Sequence, residues 1–219
     1  MGQAILQALP YMIEGTFYTI GVTIVALIVG FAIGLILALM RVYGTPVAQW
    51  ISAAYVVVLR GFPSLVVLFI VYFILAGAID LDPFLAGCVA LGVCSSAYQA
   101  EIFRGAIQGV APGQMIAARA LGMTGVQAIV NVVLPQALRN AIAGWSNEAA
   151  VVVKDSSLVY AVGLAELLRR AQQVSARLYA PLLVYTVTAL LYFLLTFATN
   201  RLLCKVEEKL RIPEMTEAR

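Results

Sequence analysis

Long apolar runs alternate with short polar breaks along the chain, and the runs set its organisation. Residues 15–40 hold no Asp, Glu, Lys or Arg, and the same is true of 42–59, 61–79, 83–100, 120–138 and 178–200. A membrane-spanning helix needs about 20 mostly apolar residues. Residues 42–79 are interrupted only by Arg60. Two spans there would leave about 14 residues for the first, ~21 Å of helix, short of a ~30 Å hydrocarbon core. One long helix over 47–78, broken or kinked near Gly61-Phe62-Pro63, fits better. Proline removes a backbone donor and disfavours helix at the residue before it. Gly105, Gly109, Pro112 and Gly113 punctuate the next polar stretch, and Gln114 to Leu121 reads as a short helix in a loop, capped at Gly122. The pattern predicts an all-α integral membrane protein, one transmembrane domain over 1–219. Its five spans cover about 12–40, 47–78, 83–108, 135–153 and 178–203.

Five is odd, so the ends of the chain fall on opposite sides. Arg201, Lys205, Lys209, Arg211 and Arg219 place the C-terminal tail in the cytoplasm by the positive-inside rule, and the N-terminus outside. Arg41, Arg104, Arg119 and Arg139 then also fall inside, while Arg169-Arg170 runs against the bias. The first apolar run is too long for a cleaved leader and is expected to remain as a span. Gly163 to Val174 has the pattern of an amphipathic helix, with Leu164, Leu167, Leu168, Ala171 and Val174 on one face, expected at the outer surface.

Composition sharpens this picture. The chain is 63% hydrophobic and 11% charged, against about a quarter charged in soluble domains, which argues against a soluble enzyme. It has no His, so the commonest general base and metal ligand is missing. No GxxxxGK[ST] loop occurs, so the chain is not expected to hydrolyse ATP. Cys88, Cys94 and Cys204 show no metal or disulfide spacing and read as packing residues. A net charge of +3 gives no reason to expect nucleic-acid binding.

Charges within the spans carry the most information, because each is costly unless paired or wet. Glu148, preceded by Asn147, lies about 13 Å beyond Arg139 along a helix, near the midplane. It is either a contact for a transported solute or a structural partner of another helix, for example through Arg60. Arg60 adjoins the Gly61/Pro63 break, where a broken helix can offer backbone groups to a substrate; its alternative is a kink with the guanidinium reaching water. Lys154, Asp155, Ser156 and Ser157 either line the outer end of a path or cap the next helix. Glu101 and Arg104, three apart, are placed to pair.

Several segments together resemble the permeases of ABC importers. Gly113-Gln114-Met115-Ile116-Ala117-Ala118-Arg119-Ala120-Leu121-Gly122, followed by Val132-Val133-Leu134-Pro135, is similar to their cytoplasmic EAA loop, spanning 111–135 here. Ala117, Ala118, Gly122, Leu134 and Pro135 fall in register. Ser146-Asn147-Glu148, Lys154-Asp155-Ser156-Ser157 and Arg60-Gly61-Phe62-Pro63 resemble the polar amino-acid uptake subfamily. The likeness covers roughly residues 12–205. It departs where Ile116 replaces the family's Glu and Phe62 its usual Thr.

The resemblance implies a type I importer fold in a bacterial inner membrane, with this chain a non-enzymatic permease subunit. Implied partners are a second permease subunit, identical or related, two ATP-binding cassette subunits and an extracytoplasmic solute-binding protein. It implies no cofactor in this chain, with ATP and Mg on the partner ATPase. Gly113, Ile116, Ala117, Ala118, Leu121 and Gly122 would form the coupling helix. Arg60, Gly61, Pro63, Asn147, Glu148, Asp155 and Ser156 would meet an amino acid moved inward by alternating access. The rival reading is a secondary carrier or channel for a small polar solute, independent of an ATPase.

Overall fold

The computed structural model describes residues 2–76 and 81–210. The described residues are almost entirely helical. Helix α1 runs Gly2–Tyr43, starting ten residues before the expected span. Packing orders this early part: Ile5 and Met12 sit in one cluster with Leu167, Ala171, Val174 and Val184.

The second expected span is two helices. Helix α2, Pro46–Gly61, is capped by the Thr45 hydroxyl; α3, Ser64–Ile70, continues into a widened turn over Val71–Ala76. Phe62 and Pro63 between them are extended, as a residue before proline prefers. The helical axes meet at 104°, so the chain breaks near Gly61-Phe62-Pro63, where a broken or kinked helix was expected, and turns a sharp corner there. The end of that expected span falls partly on residues 77–80, outside the described residues.

Helix α4, Pro83–Gln108, starts at Asp82, whose Oδ1 accepts from the Leu85 N–H at 2.7 Å. It is the central helix, buried along much of its length. Small residues let α1 approach it closely. A Cβ at Gly30 would lie 2.4 Å from Gln99 Nε2, and one at Gly92 would lie 2.8 Å from Val29.

Helix α5, Pro112–Ala120, ends in a turn with Gly122 at φ 87°. The Met123 N–H reaches the Ala118 carbonyl and the Gly122 N–H that of Arg119, the paired closure that satisfies the last carbonyls. The next helical segment begins at Gly125 rather than near Pro135. Thr124 and Gln127 form a reciprocal cap, opening α6, Gly125–Ala128. A widened turn, Ile129–Val133, joins it to α7, Leu134–Asp155. Pro135 has no N–H to donate backward, and a widened turn is one way a helix absorbs that defect.

A tight 3₁₀ turn, Ser156–Val162, and Gly163 at φ 95° lead to α8, Leu167–Leu178, and α9, Pro181–Leu210. Helix α8 begins later than the apolar pattern suggests, because Glu166 caps it. Its apolar face packs against α1 and α9, and Leu168 is only half-buried. Among the described residues, three helices are long and apolar enough to cross a membrane: Gln3–Tyr43, Pro83–Gln108 and Pro181–Leu210. The bent pair gives a fourth if counted as one span.

Candidate functional site

Helices α3, α4 and α7 enclose a cavity of about 240 Å³ lined by Ser64, Ser95, Tyr98, Asn147, Glu148 and Asp155, with apolar walls from Leu91 and Val152. Glu148 and Asp155 are seven residues apart, two turns of α7, so both fall on the face toward α4. Ser95 Oγ donates to Glu148 Oε1 at 2.7 Å, and the Glu148 side chain is 6% exposed. Among the described residues, neither Asp155 nor Asn147 has a side-chain hydrogen-bond partner, and Glu148 has only Ser95. The lining therefore carries two carboxylates and no cationic side chain.

Arg60 stands outside this lining, against Tyr98. Its guanidinium carbon lies 5.0 Å from the centroid of the Tyr98 ring, and that ring forms part of the cavity wall. Arg60 thus packs on the Tyr98 wall and, among the described residues, makes no ion pair. Gly61 and Pro63 are exposed at the corner between α2 and α3, which delivers Ser64 to the lining. Ser156 faces elsewhere: it is fully buried and its hydroxyl donates to the Val153 carbonyl at 2.7 Å. Neither Asp155 nor Ser156 caps the following 3₁₀ turn. Glu101 and Arg104 pair at 2.6 Å.

Ser64, Ser95, Tyr98 and Gln99 were not singled out from sequence. The available signal was the Ser95/Gln99 spacing of four, a polar pair on one face of an otherwise apolar helix.

On α5, Ala118 packs inward while Gly113, Ile116, Ala117, Leu121 and Gly122 are exposed. Ile116 is 69% and Leu121 81% exposed. Two bulky apolar side chains therefore stand free at one end of a short, well-capped helix.

A second ionic cluster, built on the buried Arg170 and Glu166, lies at the other end of the helices. Arg170 Nη1 donates to Glu14 at 2.5 Å and to the Tyr11 carbonyl, and Arg170 Nε donates to the Ala165 carbonyl. Its guanidinium also covers the Tyr11 ring at 4.5 Å. The Tyr11 hydroxyl donates to Gln173. Glu166 is fully buried and accepts from the Leu168 and Arg169 N–H groups and from the Tyr192 hydroxyl. Burial pushes its carboxyl above the usual range, and these donors oppose that rise. Arg170, expected to run against the positive-inside bias, is thus held by partners within the protein.

Residues 30–212 match the family of binding-protein-dependent transport system inner membrane components. The chain belongs to that family, and is a transport subunit rather than an enzyme. It is 33% identical over 212 residues to the glutamine transport system permease protein GlnP of Escherichia coli (strain K12), covering 95% of this chain and 97% of that one. It is 36% identical over 203 residues to the L-cystine transport system permease protein TcyB of Bacillus subtilis (strain 168), covering 92% and 87%. A solved amino-acid ABC transporter, crystallised with histidines, superposes with a TM-score of 0.84 at 35% identity, over 94% of this chain and 97% of that one. The MetNI methionine transporter in an inward-facing form, at 20% identity and a TM-score of 0.78, shares the fold over 93% and 98%.

Proposed function

We propose that this chain is the permease of an ATP-driven importer that carries a polar or charged amino acid inward by alternating access, with the cavity as its solute station. The carrying observation is the pair of carboxylates, Glu148 and Asp155, facing one cavity inside a membrane protein of this family. A buried charge without a full set of partners is costly, and a cationic solute group would supply the missing one. The α-ammonium group, or a basic side chain, would sit between Glu148 and Asp155. The carboxylate would lie toward Arg60 and the corner at Gly61–Pro63, with Asn147 and Ser64 offering hydrogen bonds. Ser156, packed into the core, takes no part in this.

In this reading α1, the α2–α3 pair, α4, α7 and α9 are five spans, with the N-terminus outside and the C-terminus cytoplasmic. Two permease subunits, alike or related, associate with two ATP-binding subunits, where ATP and Mg reside, and an extracytoplasmic solute-binding protein delivers the amino acid. Helix α5 couples to the ATPase: exposed Ile116 and Leu121 offer apolar contacts, while Ala117, Gly113 and Gly122 keep the approach close. Ile116 makes that contact by packing where the family's usual Glu can use charge.

The test is uptake into liposomes by the complex of permease, ATPase and solute-binding protein. With L-arginine, L-glutamine and L-glutamate offered in turn, at least one should be taken up with ATP inside, and Glu148→Gln should reduce that uptake about tenfold or more. Uptake driven by an ion gradient alone, with no ATPase present, would instead establish an independent carrier.

A further inference from the structure

Glu148 is also the end of a buried polar line. Behind Ser95 a line of hydrogen bonds runs through the fully buried Gln99 of α4 to Trp145 of α7. Trp145 Nε1 donates to Gln99 Oε1 at 2.7 Å, Gln99 Nε2 donates to Ser95 Oγ at 3.0 Å, and Ser95 Oγ donates to Glu148 Oε1 at 2.7 Å. Gln99 Nε2 also reaches the Leu27 carbonyl of α1 at 3.4 Å.

Elementary chemistry sets the direction of this line. An indole nitrogen can only donate, and a backbone carbonyl can only accept. The Gln99 oxygen must therefore face Trp145 and its NH₂ must face Leu27 and Ser95. The Ser95 oxygen then accepts from Gln99, and its proton goes to Glu148. Gly30 makes the arrangement possible, since any Cβ there would collide with Gln99 Nε2. At its far end Trp145 borders an apolar groove with Ile24, Leu27, Ile28 and Phe31 on the outside of the α1–α7 contact.

We propose that Gln99 is a positioning residue for the solute site: its carboxamide directs the Ser95 hydroxyl onto Glu148 and ties the state of that carboxylate to Trp145, one turn back along α7. The inference rests on the reading that the cavity takes the solute. When a solute cation engages Glu148, the Ser95 hydrogen bond changes, Gln99 responds, and the Trp145 N–H feels it. Gln99 touches no solute itself, so its loss should weaken solute engagement more than it slows turnover.

The experiment uses the assembled transporter, with Trp50→Phe leaving Trp145 as the permease's only tryptophan. The permease carries 5-fluorotryptophan and is reassembled with unlabelled partners. Among L-arginine, L-glutamine and L-glutamate, the one that stimulates ATP hydrolysis serves as the probe. The probe should shift the fluorine resonance of Trp145. Ser95→Ala, which cuts the line while leaving the Trp145–Gln99 bond in place, should abolish that shift. Gln99→Met should raise the half-stimulating concentration about tenfold while lowering the maximal rate less, a split that marks lost binding rather than lost turnover. Gln99→Leu, which can neither accept from Trp145 nor donate to Ser95, serves if Gln99→Met does not assemble. If Glu148→Gln removes stimulation but the Ser95→Ala shift persists and both Gln99 variants keep the parent's half-stimulating concentration, the positioning role is wrong and the cavity reading stands. If Glu148→Gln leaves stimulation intact, or no amino acid stimulates, the cavity reading fails and the positioning role falls with it.

Discussion

Two clusters of buried charge lie at different places in this molecule, and they are built differently. Glu166 accepts three hydrogen bonds and Arg170 donates at least three, one of them to Glu14. Glu148, almost as deeply buried, accepts one, and Asp155 accepts none among the described residues. A saturated charge has nothing left to offer a ligand, and its partners hold elements together: here α1, α8 and α9. An unsaturated charge in an apolar setting is a standing cost that a solute can relieve. Burial alone does not separate the two roles; the count of partners does.

Four substitutions put this contrast at risk. Glu166→Ala should have the largest effect, leaving three donors without an acceptor in a dry site and costing about 3 kcal/mol of stability, seen as a lower unfolding temperature in detergent. Were its thermal stability unchanged and its solute response impaired, the two clusters would not differ in kind. Glu148→Gln should reduce uptake about tenfold or more, equivalent to ~1.4 kcal/mol of lost solute interaction, with little change in unfolding temperature. Ser156→Ala should cost about 1 kcal/mol of stability through its lost bond to the Val153 carbonyl. The half-saturating solute concentration should not move, and a shift there would return Ser156 to the solute path. Asp155→Asn should have the smallest effect, raising the half-saturating concentration about threefold (~0.7 kcal/mol), because Asp155 is half-buried and the solvent shares its charge. An equal or larger effect than Glu148→Gln would make Asp155 the primary contact.

The parts of this architecture legible in sequence are those written in local chemistry. Asp82-Pro83 opens α4 and Gly122 closes α5, each through a cap whose residue types announce it. Thr124 and Gln127 have the spacing of a reciprocal cap, and the helical path they open begins at Gly125, ten residues before the expected span at 135. What could not be read depends on distant partners. Residues 2–11 are helical because they pack on α8 and α9. Proline at position 63 announces a break, but the 104° corner is set by what α3 packs against. Arg170 looked like a misplaced outside charge, and only its contacts with Tyr11 and Glu14 explain it. In the cavity, Asn147, Glu148 and Asp155 stood out because polar groups are rare in such runs. Ser95, Tyr98 and Gln99 did not, since on an apolar helix they are easily taken for packing residues.

Helix α7 carries Gln136, Arg139, Asn140, Asn147, Glu148, Lys154 and Asp155 within its bounds Leu134–Asp155, and it is not among the helices apolar enough to cross a membrane alone. A charged residue at the centre of a lone inserting helix costs roughly 2.5–3.5 kcal/mol. During synthesis, then, α7 has little reason to partition into lipid when it first leaves the ribosome. It needs α4 already in place to receive Glu148 through Ser95 and Trp145 through Gln99. The polar line behind the cavity thus also fastens the most polar long helix to the central one, with Ser95 receiving Glu148 and Gln99 receiving Trp145.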